Sequence, residues 1–423
     1  MNRKIKCIPL IALLILTLVN KSSICCQNLQ NPESRVRILP RVFLLNPHDL
    51  AAARQNLFAG DKTLSAALEK LRDKADQALQ ADPLSVMDKP ATPPSGDKHD
   101  YMSLATYWWP DPNSEDGLPY IWKDGISNPE YLNYDRIPLK KTIKRVTTLA
   151  LAYYYSDYEP YAAHAATLLR VWFLNEETRM NPHLQHAQII KGVNKGRGVG
   201  IIDTRRFTQL GEAIGLISHS NSWTATDQSA MERWFEQYLN WLVNSNHGKN
   251  EADRKHNHGT WYDVLTTYLA LFINNDILAK EILEKFPQRR IAVQIEPDGR
   301  QPMEIKRTRS FNYSVMNLKG LFYAALLGEH LGLDIWRFRT KDGRCIRNAL
   351  DYLMPFAIKQ KKWPFQMIRG WNEDNFETIF FLLRIAEQKY QHPEYEKMIE
   401  KLPYINAETN WINLLYPNTT ENG

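Results

Sequence analysis

Apolar residues recur at helical spacing along almost the whole chain beyond Asn46, and that single periodicity leaves few folds open. The spacing predicts helices near residues 62–81, 138–156, 159–174, 204–218, 226–244, 259–273, 312–331, 346–359 and 375–389. Alternating patterns of the kind a half-buried strand needs are scarce. Most connections are short, so successive helices are expected to pack antiparallel. Start signals support the boundaries: Asp203 precedes TRRFTQLGEAIGLI, and Thr226 with Asp227 precedes QSAMERWFEQYLNWLV, each offering a side-chain oxygen to the first turn.

With 423 residues, 43% of them hydrophobic, the chain can bury a large core. It has no fixed-period repeat and no composition shift that would mark a second domain, so residues 27–423 read as one all-α domain. Residues 1–26 read differently. Arg3, Lys4 and Lys6 precede the apolar run Ile8–Val19, which is too short to span a membrane and has no counterpart later; this is the pattern of a secretory signal peptide. The expected location is therefore periplasmic or secreted, with no integral membrane segment after cleavage. Cys25 and Cys26 are candidates for lipid attachment, which would make a lipoprotein, although Ser22, Ser23 and Ile24 depart from the usual Leu and small-residue pattern. Of the other cysteines only Cys345 lies in the body, so no disulfide framework is implied. Losing the leader's four basic residues takes the formal charge from +6 to +2, and nucleic acid is not an expected partner.

Two long irregular segments interrupt the helices, Pro83–Pro129 and His183–Ile202, and long ordered loops in a helical domain usually carry function. The first holds Tyr107, Trp108, Trp109, Tyr120 and Trp122 among prolines and acids. Aromatic faces stack on the C–H faces of sugar rings, and the same rings also pin a loop to a core.

Polar patches stand at the heads of two apolar helices: HNHGTW at 256–261 and RTRSFNYS at 307–314. They bring together Asn257, His258, Arg307 and Tyr313. Removing a proton beside a carboxylate requires groups that neutralise the carboxylate, a base for the proton and an acid for the departing oxygen, and these four residue types can fill those jobs without a metal. Tyr313 follows Arg307 by six residues, and nearby positive charge favours the phenolate, which predicts a lowered phenol pKa. Taken singly, each patch has a plainer reading, as a helix cap or a solvated charge cluster. A zinc site is a weaker reading: His256 and His258 fall on different helix faces, and His183 with His186 lack a third ligand in register.

The pieces YWWPDP with GLPYIWKDGISNPE, MNPHLQHAQ with GRGVGIID, HNHGTWYD and QPMEIKRTRSFNYS, in that order over residues 100–320, resemble the helical-barrel alginate lyases, whose domain carries an Asn-His pair followed by an Arg and a Tyr. The resemblance implies an incomplete (α/α) toroid with a cleft across one end, no cofactor, and an acidic polysaccharide as substrate. It implies that Tyr313 is catalytic base or acid with His258 as its partner, and that Asn257 and Arg307 neutralise the uronate carboxylate. Gln188, Arg197, Trp108 and Trp109 would line subsites, with Tyr107 and Arg309 beside them. The expected activity is β-elimination on a 1,4-linked polyuronate, alginate first and β-1,4-glucuronan second. Two rival readings remain: a helical-barrel glycoside hydrolase using carboxylates such as Glu304, Glu373 and Asp374, and a non-catalytic glycan binder relying on the aromatic loop.

Overall fold

The computed structural model describes residues 39–371 and 373–417, with the side chain of Glu373 left out; the leader, Cys25 and Cys26 lie outside the described residues. In chain order the helices are α1 (Pro47–Phe58), α2 (Lys62–Leu79), α3 (Arg136–Ser156), α4 (Glu159–Leu169), α5 (Phe207–Ile217), α6 (Ala225–Asn244), α7 (Asn246–Ala252) and α8 (Asn257–Phe272). They continue as α9 (Asp276–Phe286), α10 (Ala292–Gln294), α11 (Pro302–Ile305), α12 (Ser310–His330), α13 (Ile346–Ala357), α14 (Glu373–Tyr390) and α15 (Glu394–Glu400).

Burial separates these helices into two kinds. Every residue of α8 except His258 is buried, and α5 is buried everywhere except Gln209. A helix apolar on all sides belongs inside a protein. In contrast, α6 buries only a stripe, Met231, Trp234, Phe235, Tyr238, Leu239 and Leu242, and α9 only Ala279, Leu283 and Phe286. The packing follows: α3, α5, α8, α12 and α14 meet in that order as an inner row, while α4, α6, α9, α13 and α15 cover it from outside. This is an all-α, incomplete (α/α) toroid. The described elements all fall within one compact unit, Pro40–Gly423. Its C-terminal turn, Trp411–Leu414, packs on α2.

Because each inner helix is followed by an outer one running back, the inner helices are parallel and present their N-termini at one end. Hydrogen bonds there confirm the arrangement: Asn312 at the head of α12 donates to Asn375 at the head of α14 at 2.9 Å, and Asn257 at the head of α8 donates to Glu304 beside α12. Aligned N-termini favour anions at that end.

The sequence-derived helices all exist, with ends within a few residues. Three differences have clear causes. The helix expected over 159–174 ends its α-helical part at Leu169 and continues as a π turn, Arg170–Leu174. Asp203 is no cap: it lies in a 3-10 segment, Gly198–Thr204, and its carboxylate is taken by other groups, so α5 starts only at Phe207. The cap of α6 is Thr224, not Thr226, with Asp227 returning the second bond of a capping box. The loops carry small sheets: β1 (Met102–Leu104) pairs in parallel with β4 (His186–Ile189), and β2 (Trp108–Trp109) pairs antiparallel with β3 (Ile121–Trp122). Among the described residues no helix is long and apolar enough to cross a membrane.

Candidate active site

The site is built where the aromatic loop meets the strap that leads into α12. Asp124, just past β3, accepts from Arg307 at 2.6 Å (Nη2) and 3.3 Å (Nε), and from the Thr308 backbone N–H and hydroxyl at 3.1 and 3.0 Å. Burial alone would raise the Asp124 carboxyl; these four donors outweigh it and hold the group below its ordinary value. The approach is so close that a Cβ at Gly125, which has φ +74°, would lie 2.4 Å from the Thr308 hydroxyl.

From Arg307 the polar chain continues. Its Nη2 donates to the Tyr313 hydroxyl at 3.0 Å, its guanidinium lies 4.1 Å from the centre of the Tyr313 ring, and Tyr313 donates to the Tyr107 hydroxyl at 3.0 Å. The expected lowering of the phenol is not found. Burial, reinforced by Tyr107, pushes Tyr313 well up, and Arg307 offsets only part of it. Desolvation outweighs the cation here because Arg307 is already paired with Asp124. Tyr313 is therefore a neutral phenol at neutral pH.

His258 stands at the head of α8, near enough to Glu304 for their charges to interact, as Arg307 also is. Its Nδ1 lies 2.5 Å from Oε1 of Glu251 in α7, a carboxylate with only 1% side-chain exposure. That contact fixes the ring with its proton on Nδ1 and leaves Nε2 as a base. Glu251 escaped sequence reasoning, since nothing in HGKNEADRKHNH marks one acid as the partner of a histidine seven residues on. His256, the N-cap of α8, accepts the His258 backbone N–H at 3.4 Å; burial and the adjacent His258 and arginines pull its imidazole down to about 3, so it stays neutral. Gly259 is required by packing: a Cβ would lie 2.0 Å from the Arg254 carbonyl and 2.3 Å from the buried Arg290 guanidinium.

Asn257 is wholly buried. Its backbone N–H and its Nδ2 donate to the two oxygens of Glu304 at 2.7 and 2.8 Å, and its Oδ1 has no partner. Glu304 is 1% exposed; burial raises its carboxyl, opposed by Asn257 and by the nearby charges of His258 and Arg307. With both oxygens engaged in clamping Asn257, Glu304 does not fit the acid of a glycosidase pair. Asp374 stands at the head of α14 in a separate chamber, and the Glu373 side chain lies outside the described residues.

The subsite candidates fall into two groups. Gln188, with φ +49°, and Arg197 are joined: Arg197 donates from Nη2 to the Gln188 side-chain oxygen at 3.2 Å and from Nε to its carbonyl at 3.1 Å. The Arg197 guanidinium sits 5.9 Å from the Trp108 ring, and burial pulls it down to about 10, which leaves it charged. Behind Gln188, Asp203 accepts from Tyr101, Ser103 and Gln188 at 3.1, 2.8 and 3.2 Å and pairs with Arg136. This explains why Asp203 cannot cap α5. Trp108 and Trp109 are half-buried on β2, with Lys123 over the Trp109 ring at 5.2 Å. Arg309 is the N-cap of α12: its carbonyl accepts the Tyr313 backbone N–H at 3.2 Å, its backbone bridges to Met367, and its Nε is buried without a partner. His183 and His186 both lean on Asp100, at 3.0 and 3.6 Å, and among the described residues no group of three or more His, Cys, Asp or Glu is arranged to hold a metal.

Known proteins share the family and the fold of this chain. The family model described as alginate lyase matches residues 85–363. A crystal structure of an alginate lyase from Bacteroides ovatus is 40% identical, covering 89% of this chain and 99% of that one with a TM-score of 0.85. Alginate lyase A1-III from Sphingomonas species A1 shares the fold at 15% identity, covering 89% and 95% with a TM-score of 0.56. A histidine-to-alanine variant of A1-III, complexed with tetrasaccharide, superposes equally well, at 14% identity over 90% and 98% with a TM-score of 0.56. A search of curated proteins gives no match. With the family model spanning well over half of its length, this chain belongs to the alginate lyase family.

Proposed function

We propose that this protein is a polysaccharide lyase that cleaves alginate, and secondarily β-1,4-glucuronan, by β-elimination without a metal. The observation that carries the reading is a fixed base and a neutral acid brought to one region: Glu251 holds His258, Arg307 and Tyr107 hold Tyr313, and the buried Glu304 lies within electrostatic reach of both His258 and Arg307. A uronate carboxylate meets the Arg307 Nη1, which has no hydrogen-bond partner among the described residues, while Asn257, wholly buried against Glu304, supports the site from beneath. Charge drawn onto that carboxylate makes the C5 proton removable. The C5–H bond then breaks, a C4–C5 double bond forms, the C4–O bond breaks, and the departing oxygen takes a proton.

For guluronate, whose C5 proton and leaving oxygen lie on opposite sides, His258 Nε2 takes the proton and the Tyr313 phenol supplies the other. For mannuronate the two lie on the same side, and Tyr313 performs both steps from its minor ionised form, whose charge Arg307 offsets in part: the oxygen takes the C5 proton and then gives it to the departing oxygen. Gln188, Arg197, Trp108 and Trp109 bind neighbouring units, with aromatic faces on sugar rings and Arg197 on a carboxylate. In this reading residues 1–26 are a cleaved leader, residues 27–423 form the catalytic domain, and the enzyme works in the periplasm or outside the cell, with Cys25 or Cys26 available for lipid attachment.

Digestion of polymannuronate, polyguluronate and glucuronan tests this. Ultraviolet-absorbing unsaturated ends, undiminished by chelator, are expected on alginate. Reducing ends without unsaturation would indicate a hydrolase, and no cleavage a binder.

A further inference from the structure

Beside the acid–base cluster, and distinct from it, two adjoining cavities of about 190 and 360 Å³ share Arg206, Gln209, Lys319, Tyr323, Asp374 and Thr378. Their size is of the order of small-ligand sites, roughly 300–1,000 Å³. Among the residues of α12 that are not fully buried, Asn312, Met316 and Lys319 are spaced along one helical stripe that faces this space. The chamber borders the cleavage site: Arg205, on its wall, lies near enough to Tyr313 for their charges to interact.

The walls are strongly cationic. Arg205, Arg206 and Lys319 line the inner part, and Lys140 and Lys144 stand exposed on the wider part. Against them stand Asp374, Glu377 and Glu212, but Glu212 is already taken by the Phe43, Leu44 and Leu45 backbone N–H groups and the Tyr268 hydroxyl, and Glu377 accepts from Trp411 at 2.6 Å. Among the described residues neither the Arg206 nor the Lys319 side chain has a hydrogen-bonding or ion-pairing partner. Burial pulls Lys319 down to about 8 and Arg205 down to about 9, so both remain charged at neutral pH. Lys319 rests on the faces of Phe381 and Tyr323, 4.8 and 5.4 Å from the ring centres, which helps to offset its desolvation without neutralising it. Asp374 acts on Arg206 and Glu377 on Lys319 through space, each without forming an ion pair, so positive charge remains in excess, and an excess of cations enclosed by protein is costly and favours an anion.

We propose that this chamber binds the carboxylate of a uronic acid unit through Arg206 and Lys319, with Arg205 at its boundary with the cleavage site. The choice of a uronate rests on the polyuronate reading above; the need for an anion does not. The unit is either part of the bound polymer, remote from the bond being cleaved, or a free uronate such as a released product.

Sodium glucuronate, which has no bond to cleave, is the probe. In thermal melts at ionic strength matched with sodium chloride, a saturable rise in Tm of about 2 °C or more is expected for wild type and for Tyr313→Phe, and none for Arg206→Met or Lys319→Met. In chloride alone Lys319→Met should melt at or above wild type, because an unpaired cation is removed. No saturable rise in wild type, an equal rise in both chamber variants, or a Lys319→Met protein that melts lower or fails to fold overturns the proposal. If the rise is chamber-dependent, turnover on alginate distinguishes the source. A KM raised about threefold or more with kcat held within about twofold means a unit of the polymer, whereas an unchanged KM with loss of product inhibition means a free uronate. Unsaturated ends from wild type on alginate are scored separately, so failure of the chamber is not confused with failure of the lyase reading.

Discussion

Glu251→Gln tests the part of the site that depends most on tertiary structure. The Glu251 carboxylate is 2.5 Å from His258 Nδ1, its side chain is 1% exposed, and its other oxygen has no partner. It touches the back of the ring, so it acts by positioning His258 rather than by contacting substrate. The substitution preserves volume but removes the charge, and a glutamine that turns its NH₂ toward Nδ1 forces the proton onto Nε2, the atom that must be vacant to act as base. A hydrogen bond to a charged group contributes about 1.5–3 kcal/mol, and at about 1.36 kcal/mol per tenfold in rate the expected fall in kcat on polyguluronate is about ten- to 150-fold. KM should be unchanged within about twofold, and the melting temperature should stay close to wild type because no cavity is opened. The assay is the initial rate of unsaturated-end formation across substrate concentrations, with a thermal melt on the same sample. Undiminished kcat in a folded Glu251→Gln protein, or a loss confined to KM, would refute the positioning role.

Tyr313→Phe removes one oxygen that accepts from Arg307 and donates to Tyr107, and turnover should fall by about a thousandfold or more while polymer binding persists; retention of a tenth of the activity contradicts the assignment. His258→Ala should reduce cleavage of polyguluronate more than that of polymannuronate, and equal losses would dismiss the division between two elimination routes. Arg307→Lys keeps the charge, but one ammonium cannot hold Asp124 by two bonds and Tyr313 by a third, so kcat should drop more than KM rises, by about ten- to a hundredfold; a lysine variant as active as wild type removes the guanidinium from the mechanism. His256, pulled down to about 3 in the folded state from an ordinary 6.5, contributes stability that is full above pH 6.5 and is lost as pH falls toward 3, at up to about 1.4 kcal/mol per pH unit. Melts of wild type should therefore fall more steeply over that window than melts of His256→Asn, which keeps a cap for α8; parallel curves would show that His256 titrates normally.

Local chemistry was sufficient for much of this protein. The apolar period identified the long helices because an inner helix such as α8 or α12 is buried over most of its surface, and its composition therefore carries the signal without help from its neighbours. The polar residues at the heads of those two helices were legible for the converse reason: Asn257, His258 and Tyr313 interrupt apolar sequence, where a polar group needs a purpose. The order of motifs supplied the family. What the residues alone did not carry was partnership across the chain. Asp203 has the form of a helix cap, yet Tyr101, Ser103, Gln188 and Arg136 claim it from other segments. The Tyr313 phenol was expected to be lowered by Arg307, but Asp124, 183 residues away in sequence, takes that cation's fork and burial does the rest. Glu251, the clamp of Glu304 on Asn257 and the cationic chamber became visible only when α7, α11 and the inner helices were brought together. A residue's burial and its competing partners are properties of the packed toroid, and they decide the direction of a pKa shift and the freedom of a hydrogen bond; spacing along the chain decides only which residues share a helix face.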